Sequence, residues 1–409
     1  MRILQVTDCY PPPLIGGRDL HVRMLSHELF RRGHDVEVAT LAGPAGDRIE
    51  SDDGIPVHRI GGWSRALSRF YVDPEQPFHP TAPDPGLVRK LSNLIRERQP
   101  QVVHVHSWML YSLLPFLPSR DTRLVVTMHE YGFVCAKNSF MHKGEVCDGP
   151  RLAKCISCAS AQYGAVRSTA LTIGLAVTRR MHRRVDRYIA ISDSVAQACK
   201  LLTTDSRAEM NIIPPFISDA YFRPVYAGRP EFLESIGDYI MFAGALGPHK
   251  GLDVLLEAYR EIAPAVRLVL LGLRRHDTPQ HFPDGVVFAE DVSHGDVMRA
   301  WNNCLLAVVP SRWPEPWGMV ALEAMSAGRP VVASAVGGLK TLVQDGRTGV
   351  LVPPGDVAAL RAGIQRLLDD PGERSRMGEA GRERAAEFKA SELVPKIEEI
   401  YREVIKSAE

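Results

Sequence analysis

The chain has 409 residues, of which 45% are hydrophobic and 24% charged, and its formal net charge is +1. This length predicts two or three domains with large cores, and the near-neutral charge argues against a general attraction to nucleic acid or anionic lipid. No apolar run reaches the roughly 18–20 residues of a membrane helix, and the first residues enter a strand pattern without a signal-peptide layout. We therefore expect a globular, cytoplasmic enzyme.

The first half alternates strand and helix patterns. Residues 2–10 have the pattern of a buried strand, and residues 16–34 that of an amphipathic helix that ends at Gly33. Further predicted strands lie at 35–41, 101–106, 123–130 and 186–192. Such an alternation predicts an α/β fold with a parallel, doubly wound sheet.

The pattern breaks at 214–237, which holds four prolines, and we predict a linker there between domains 1–213 and 238–390. A second alternation follows, and residues 391–409 form a predicted helix that crosses back to the first domain. The predicted strands of the second half lie at 238–244, 267–272, 305–310, 329–334 and 349–354. Two Rossmann-like domains are expected to bind a ligand at the carboxyl ends of their strands, in the cleft between them.

Two glutamates, Glu315 and Glu323, stand at unusual positions. Glu315 lies in a proline-containing loop after a strand, and Glu323 lies in the apolar helix predicted for 317–328. The amides of residues 317–319 would favour a phosphate at the start of this helix, and carboxylates beside it suit the hydroxyl groups of a sugar or ribose. The alternative is a core salt bridge at Glu323 and a solvated loop acid at Glu315.

Two further strand-to-helix loops could meet a ligand. Lys250 precedes a helix in a glycine-rich loop, where its charge could meet a diphosphate. Gly16 and Gly17 permit a close backbone approach in the first half. Three such loops suggest a nucleotide-linked polyol as the ligand, although Lys250 could equally be a surface lysine.

Four cysteines, Cys135, Cys147, Cys155 and Cys158, cluster within one segment. Their spacing favours a structural tetrahedral zinc over disulfides in a cytosolic chain, and unligated thiols or a redox pair are the remaining alternatives. The other three cysteines are expected in the core.

A basic stretch, 178–188, carries arginines at helical spacing. A solvated face is favoured there over a peripheral membrane contact or a site for an anionic acceptor. His106, at the end of a predicted strand, is a candidate for contact with an acceptor, although a structural role is equally open.

Taken together, these stretches resemble the retaining glycosyltransferases of family 4, which have the GT-B fold. The similarity extends over nearly the whole chain, and its most specific element is the pair Glu315 and Glu323, separated by seven residues. The other matching stretches are Gly16-Gly17, VVHVH (102–106), TMHE (127–130), IAIS (189–192), GPHKG (247–251), PEPWGMVALEAMSAGRPVVAS (314–334), GG (337–338) and TGVLVPPGD (348–356).

The resemblance implies roles for individual residues. Glu315 would contact the hydroxyls of the donor sugar, Glu323 the ribose hydroxyls, and Lys250 the departing diphosphate. His129 would lie near the donor sugar, and Gly17 would approach donor and acceptor. The implied catalytic set is His129, Lys250 and Glu315, and the implied donor-binding set is Gly16, Gly17, Lys250, Arg275, Glu315, Trp317, Gly318, Met319 and Glu323.

The chain departs from the family pattern at two positions. Ala245 stands where the family usually has an arginine that partners the lysine, so either His249 or Arg275 compensates or the diphosphate is bound less tightly. Thr341 stands where an acid often follows the glycine pair.

The implied activity is transfer of a hexose-type sugar, with retention and without a catalytic metal or other cofactor, from a nucleoside diphosphate donor. UDP and GDP are the favoured nucleotides, and a natural product, small metabolite, saccharide or lipid is the acceptor. The alternatives are a non-hydrolysing nucleotide-sugar epimerase and a non-catalytic protein that binds a nucleotide sugar or zinc.

Overall fold

A computed structural model of the chain describes residues 1–12, 16–43, 45–64, 79–117, 121–204, 208–223, 226, 228–262, 266–275 and 277–407. The chain forms two compact units, of which the first comprises Met1–Pro214 with Leu393–Glu409 and the second comprises Pro215–Glu392. Residues 215–237, predicted as a linker, thus belong to the second unit. The backbone amide of Ile217 donates to the carbonyl of Phe388 in that unit (2.9 Å).

Ten strands are present in the described part of the first unit. They are β1 (Arg2–Thr7), β2 (Asp35–Leu41), β3 (Arg48–Asp52), β4 (Ile55–Ile60), β5 (Val102–Val105), β6 (Arg123–Met128), β7 (Met141–His142), β8 (Glu145–Val146), β9 (Arg187–Ala190) and β10 (Glu209–Ile212). Strands β7 and β8 form a small hairpin, and the others form one sheet in the order β10-β9-β6-β5-β1-β2-β4-β3. All neighbours in this sheet are parallel except β3 and β4.

Helices connect these strands. They are α1 (Gly17–Arg31), α2 (Pro85–Arg98), α3 (Leu110–Leu113), α4 (Leu152–Tyr163), α5 (Ala165–Thr178) and α6 (Asp193–Cys199). Helix α2 begins where the Asp84 carboxylate accepts hydrogen bonds from two backbone amides of the first turn, and Pro85 occupies the first helical position. Both are strong helix-start signals.

The second unit contains a six-stranded parallel sheet in its described residues. Its strands are β11 (Tyr239–Ala243), β12 (Arg267–Leu271), β13 (Val286–Ala289), β14 (Ala307–Val309), β15 (Val331–Ser334) and β16 (Gly349–Val352), in the order β13-β12-β11-β14-β15-β16. Its helices are α7 (Leu252–Tyr259), α8 (His294–Asn303), α9 (Met319–Ser326), α10 (Leu339–Leu342), α11 (Val357–Asp369) and α12 (Pro371–Ala386). This strand order is that of a Rossmann fold.

The last helix, α13 (Ala390–Lys406), belongs to the first unit from Leu393 onward. It is anchored there by Glu398, whose carboxylate accepts hydrogen bonds from Arg32 (2.9 Å) and from the ring of His34 (2.8 Å). Burial alone would raise the pKa of Glu398, but the hydrogen bonds from Arg32 and His34 outweigh it and lower the pKa. Glu398 therefore holds this helix as a carboxylate.

Several local predictions differ from the structure. Strands β3, β4, β10 and β13 were not predicted. β3, β10 and β13 are edge strands that are short or half-exposed, and in β4 the apolar residues are interrupted by Pro56, His58 and Arg59, so none of the four has the continuous apolar run of a central strand. The basic stretch does not form one helical face, since Arg187 lies in β9 and residues Arg179–Arg184 form a 3-10 helix. The helix that carries Glu323 begins at Met319 rather than at residue 317, because Gly318 has a left-handed backbone (φ 108°).

Candidate active site

The loops that carry Lys250 and Glu315 leave neighbouring strands of the second unit. Lys250 follows β11 and Glu315 follows β14, and these two strands are adjacent in the sheet. The strand order reverses between them, with β12 and β13 on one side and β15 and β16 on the other. Ligands of doubly wound sheets bind at such a switch point, outside the carboxyl ends of the strands.

Lys250 and Glu315 form a partly buried ion pair. The Nζ atom of Lys250 lies 2.5 Å from Oε1 of Glu315, whose side chain is only 7% exposed. The Lys250 ammonium also lies 5.0 Å from the centre of the Trp313 ring, and the Ser311 hydroxyl donates to the other oxygen of Glu315 (3.4 Å). Glu315 is therefore not a solvated loop acid, and the structure brings together two residues that are 65 positions apart.

The glycine pair 337–338 holds the backbone of the Glu315 loop. The amide of Gly338 donates to the carbonyl of Glu315 (2.7 Å). Gly337 has a φ of 49°, and a Cβ atom on it would stand 2.1 Å from that carbonyl oxygen. Only glycine fits such a close approach. The glycine pair, which follows β15, therefore positions the Glu315 loop through backbone contacts alone.

Glu323 lies in the second turn of α9 and is 6% exposed. Burial raises the pKa of its carboxyl group, and His294 and the indole of Trp301 offset part of this rise. Its Oε1 lies 3.8 Å from Nε2 of His294, which is longer than a hydrogen bond. The Tyr221 hydroxyl contacts the same ring nitrogen at 2.6 Å, so the carboxylate of Glu323 retains lone pairs for a ligand.

Sequence reasoning missed Tyr221, His294 and Trp301 as neighbours of Glu323. Tyr221 lies in the proline-rich segment interpreted as a linker, and the other two lie on α8. No spacing in the chain connects these segments, which become neighbours only when α8 and the segment of Tyr221 pack against α9.

Trp317 and Gly318 precede helix α9 and Met319 begins it, so the helix starts two residues later than expected. The side chain of Trp317 is 2% exposed and packs against the ring of Phe388, with the ring centres 5.2 Å apart. Any contact of Trp317 with a ligand therefore falls to its backbone.

The structure distinguishes the two residues that could compensate for Ala245. Burial, Lys250 and Arg275 lower the pKa of His249 to about 4, so this ring is neutral near pH 7. Arg275 reaches the same loop, because a Cβ atom on Gly247 would stand 3.1 Å from Cδ of Arg275. Arg275 is thus the residue of the two that carries a positive charge at this loop.

In the first unit, the predicted residues also gather at a switch point. Gly16 follows β1, His106 follows β5 and His129 follows β6, and these strands are neighbours in the sheet. Nε2 of His129 lies 2.9 Å from Nδ1 of His106. No described atom lies within 4 Å of the place where a Cβ atom on Gly16 would stand, so this backbone is open to approach.

His106 and His129 belong to a buried polar network. Nε2 of His106 contacts Oε1 of Gln5 (2.7 Å), and the amide of Gln5 reaches the hydroxyl of Tyr401 on α13 (3.5 Å). That hydroxyl contacts Nδ1 of His104 at 2.6 Å. Burial lowers the pKa of His106 and His129 well below the ordinary value, so both rings are neutral. Gln5 and Tyr401 were not predicted from the sequence, because they are single residues in strand and helix patterns that otherwise indicate core.

An arginine beside this network was also missed. The guanidinium of Arg18 lies 3.3 Å from Glu130 and 3.4 Å from Asp19, near the start of α1. Burial raises the pKa of Glu130, and Arg18 offsets part of the rise. The ion pair between Arg18 and Glu130 therefore lies next to His129 in the chain.

The four clustered cysteines are free thiols, as are the other three. Cys147 follows the β7–β8 hairpin, and Cys155 and Cys158 lie on α4. The ammonium of Lys154 lies 3.3 Å from Sγ of Cys147. Burial raises the pKa of the Cys135 and Cys155 thiols.

The distances between these sulfur atoms determine whether they could bind one metal ion as they lie. In the described ranges, the one group of three or more potential ligands whose atoms all lie within 4.8 Å is His27, Asp52 and Asp53. The cysteine sulfurs are therefore more widely spread, whereas tetrahedral zinc brings thiolates to about 3.8 Å from one another. Asp52 is already bound by Arg23 through two contacts of 2.8 Å, so that group is an ion-pair cluster.

Comparisons with known proteins agree with this geometry. Residues 16–214 match the glycosyl transferase 4-like domain, and residues 232–384 match glycosyl transferases group 1. The chain is 29% identical to glycogen synthase of Mycobacterium tuberculosis, over 94% of this chain and 90% of that one. Its structure is similar to that of sucrose-phosphate synthase from Thermosynechococcus elongatus, with a TM-score of 0.75, 22% identity and complete coverage of both chains. A second similar structure is Anabaena Alr3699/HepE in complex with UDP, with a TM-score of 0.65, 19% identity, and coverage of 98% of this chain and 100% of that one.

Two parallel α/β sheets and these structural neighbours define a GT-B fold. The domain matches in both halves of the chain and the similar relatives identify its family among proteins with this fold. The chain belongs to the family 4 glycosyltransferases and is a glycosyltransferase. None of the helices in the described ranges is both long and apolar enough to span a membrane.

Proposed function

We propose that the chain transfers a hexose-type sugar, with retention of configuration, from a nucleoside diphosphate sugar to a hydroxyl group of an acceptor. The observation that carries this proposal is the ion pair between Lys250 and Glu315 at the switch point of the second unit. A cation there suits a diphosphate, and a carboxylate beside it suits sugar hydroxyls. Binding of UDP by Alr3699/HepE supports a nucleotide donor, and GDP remains an equal candidate.

The proposed donor site extends from this pair along α9. The backbone amides of Trp317, Gly318 and Met319 would face a phosphate, and the carboxylate of Glu323 would accept hydrogen bonds from the ribose hydroxyls. Arg275 would supply the second cation on the diphosphate, in place of the arginine that the family usually has at the position of Ala245. Glu323 retains lone pairs for this purpose, because its contact with His294 is 3.8 Å long.

In the proposed reaction, the bond between the anomeric carbon and the diphosphate oxygen breaks, and a bond to the acceptor oxygen forms on the same face. The acceptor proton passes to the departing phosphate oxygen, so that no protein nucleophile is needed. Lys250 would stabilise the negative charge that develops on the diphosphate, which is the kind of contribution that a fixed cation makes to a transition state. With these cations in place, we propose that no catalytic metal or other cofactor takes part.

The first unit would hold the acceptor. Gly16 and Gly17 would bring backbone close to the ligands, and the neutral ring of His129 would lie near the sugar, oriented by its contact with His106 (2.9 Å). The neutral state suits a hydrogen bond to a hydroxyl group, because one ring nitrogen donates and the other accepts. His106 is proposed as an orienting residue as well as a candidate acceptor contact.

We further propose that Cys135, Cys147, Cys155 and Cys158 bind a structural zinc ion. The donor set suits zinc, since all four thiols are free. The sulfur atoms would have to move closer together than they lie in this structure, and the metal would take no part in transfer.

A thermal-shift panel with UDP, GDP, ADP and TDP tests the donor proposal. A ligand that binds only the folded protein raises its melting temperature, so one diphosphate should produce a clear shift that is lost in Glu323→Ala. Turnover with the sugars of that nucleotide should need no added divalent metal ion. No shift with any diphosphate at millimolar concentration would contradict the proposal.

A further inference from the structure

An apolar cavity of about 140 Å³ lies within the first unit, between the cysteine-containing segment and helix α5. Helix α5 contributes Thr172, Leu175 and Ala176, and Arg179 directly after its end continues the same face, because the four are spaced by three and four residues. The rest of its wall is mainly apolar. Other side chains in it include Phe133, Val134, Leu152, Leu201 and Leu202.

The size of the cavity limits what it can hold. An apolar cavity of about 150 Å³ in another protein stays free of water and binds benzene. This cavity is nearly as large, so it has room for one aromatic ring or an alkyl group of similar volume. It is too small for a whole nucleotide sugar.

One wall residue indicates that the intended occupant is not purely apolar. Thr172 is 7% exposed, and its side-chain oxygen has no hydrogen-bond partner among the described residues. A buried hydroxyl without a partner costs free energy. A polar substituent on a bound ring would supply the missing partner.

The positive charge around the cavity points to an anionic ligand. Arg151 and Arg179 are both part of the wall. Arg179 begins a segment, residues 179–184, that holds four arginines and no acidic residue. Asp148 is shared between Arg151, at 2.8 Å, and Lys154.

We propose that this cavity, the insert pocket, binds an aromatic ring that carries a polar substituent and a negative charge, as in a hydroxylated aromatic carboxylate. The ring fills the apolar volume, the substituent pairs with Thr172, and the carboxylate meets Arg179. This site goes beyond the proposed function, because it lies outside the nucleotide site and needs no turnover. Phe133 and Val134 follow His129 by four and five residues, so the pocket is close in sequence to the proposed acceptor residues.

Ligand-observed NMR on the full chain tests the pocket with 4-hydroxybenzoate as the probe. Phenol has the ring without the charge, and acetate has the charge without the ring. We expect saturation transfer to 4-hydroxybenzoate, a weaker effect for phenol and none for acetate. Phenol binding as tightly as 4-hydroxybenzoate would overturn the charge requirement, and no transfer to either ring compound would overturn the site.

Variants on one helix locate the binding. Ala176→Phe places a ring inside the pocket and should weaken 4-hydroxybenzoate binding by about tenfold or more, because two rings cannot share that volume. Ala170→Phe, at an exposed position of α5 outside the wall, is the matched control and should bind as the parent does. Thr172→Val keeps the shape and removes the unpaired hydroxyl, so it should fold normally and weaken binding by about two- to tenfold.

Equal loss in both phenylalanine variants, or displacement of 4-hydroxybenzoate by UDP, would place the ligand elsewhere and overturn the inference. The UDP thermal shift, measured on the same samples, separates this inference from the proposed function. A parent protein that responds to UDP but not to the ring compounds loses only the insert pocket. A parent that binds the ring compounds but no diphosphate loses only the donor proposal.

Discussion

The ammonium of Lys250 lies 2.5 Å from the carboxylate of Glu315, although the two residues are 65 positions apart in the chain. Each follows a different strand, β11 and β14, and the parallel order of the sheet brings the two loops together. In this structure, the charge that we propose for the diphosphate is held by the acid that we propose for the sugar. Donor binding would therefore exchange a contact between two protein charges for contacts with the ligand.

Lys250→Ala should lower turnover more than donor affinity. The lysine charge matters most when negative charge develops on the leaving diphosphate, and loss of one such contact typically costs about 100- to 1,000-fold in kcat. Steady-state kinetics with the donor identified by the thermal-shift panel gives the measurement. Lys340→Ala, at an exposed position of the same unit, is the control, and equal rates for the two variants would remove Lys250 from the site.

Nucleotide affinity should rise with pH through the raised pKa of Glu323. Burial raises this pKa, and ribose hydroxyls donate best to the ionised carboxylate, so protonation at low pH weakens binding. The stability of the nucleotide-free protein should change in the opposite direction. The contribution of the raised pKa to the free energy of unfolding is present at low pH and is lost as the pH rises through that pKa. Calorimetric titration of UDP, or of whichever diphosphate binds, across the pH range in which Glu323 loses its proton provides the test.

The diphosphate itself also titrates, and this contribution is the same for the parent and for Glu323→Gln. The difference between their pH profiles therefore reports on Glu323 alone. This variant should bind more weakly at high pH and show a flatter profile, whereas Glu257→Gln, at an exposed position on α7, should follow the parent. An unchanged profile in Glu323→Gln would show that another group controls binding.

Gly337→Ala should disturb the Glu315 loop. The new methyl group would stand 2.1 Å from the carbonyl oxygen of Glu315, so the loop must shift and the nucleotide-induced thermal shift should shrink. Gly346→Ala is the matched control, because Gly346 also has a positive φ (71°) but open space around it. Both variants carry backbone strain of about 1–3 kcal/mol, and only Gly337→Ala should also lose nucleotide binding.

Tyr401→Phe should destabilise the first unit. The Tyr401 hydroxyl contacts both Nδ1 of His104 and the amide of Gln5, and its removal leaves two buried polar groups short of a partner. The expected loss in the free energy of unfolding is about 1–3 kcal/mol, measured by urea denaturation. Tyr163→Phe changes a tyrosine outside this network and should cost less than about 0.5 kcal/mol; a similar loss in both would argue against the network.

Zinc should be present at about one ion per chain in protein purified without chelator, as the cysteine proposal requires. Cys158→Ser should lower the zinc content and reduce the melting temperature by about 5 °C or more. Ser157→Ala, at the preceding and exposed position of α4, should change neither quantity. A metal-free parent whose four thiols react freely would exclude the zinc site.

The fold was largely predictable from the sequence, because central parallel strands are buried on both faces and therefore read as continuous apolar runs. β1 and β11 illustrate this, since almost all of their side chains are buried. The edge strand β3 was not predictable in the same way, because its residues alternate between half-buried and exposed, as at Glu50 and Ser51, and it therefore resembles a loop. Segment 214–237 was interpreted as a linker because its four prolines break the strand and helix periodicity, although Phe216 and Tyr221 are buried.

For the candidate site, the sequence by itself determined the chemical groups: Glu315 and Lys250 stand at strand-to-helix junctions, where backbone and charge can meet a ligand, and Glu323 stands within the apolar helix that follows Glu315. Only the tertiary structure decided their partners. It paired Lys250 with Glu315, placed Tyr221 and His294 beside Glu323, and connected His129 through His106 and Gln5 to Tyr401 on the last helix. The physical reason is that local patterns determine which segments become strands and helices, whereas the order of strands in a sheet determines which distant loops become neighbours.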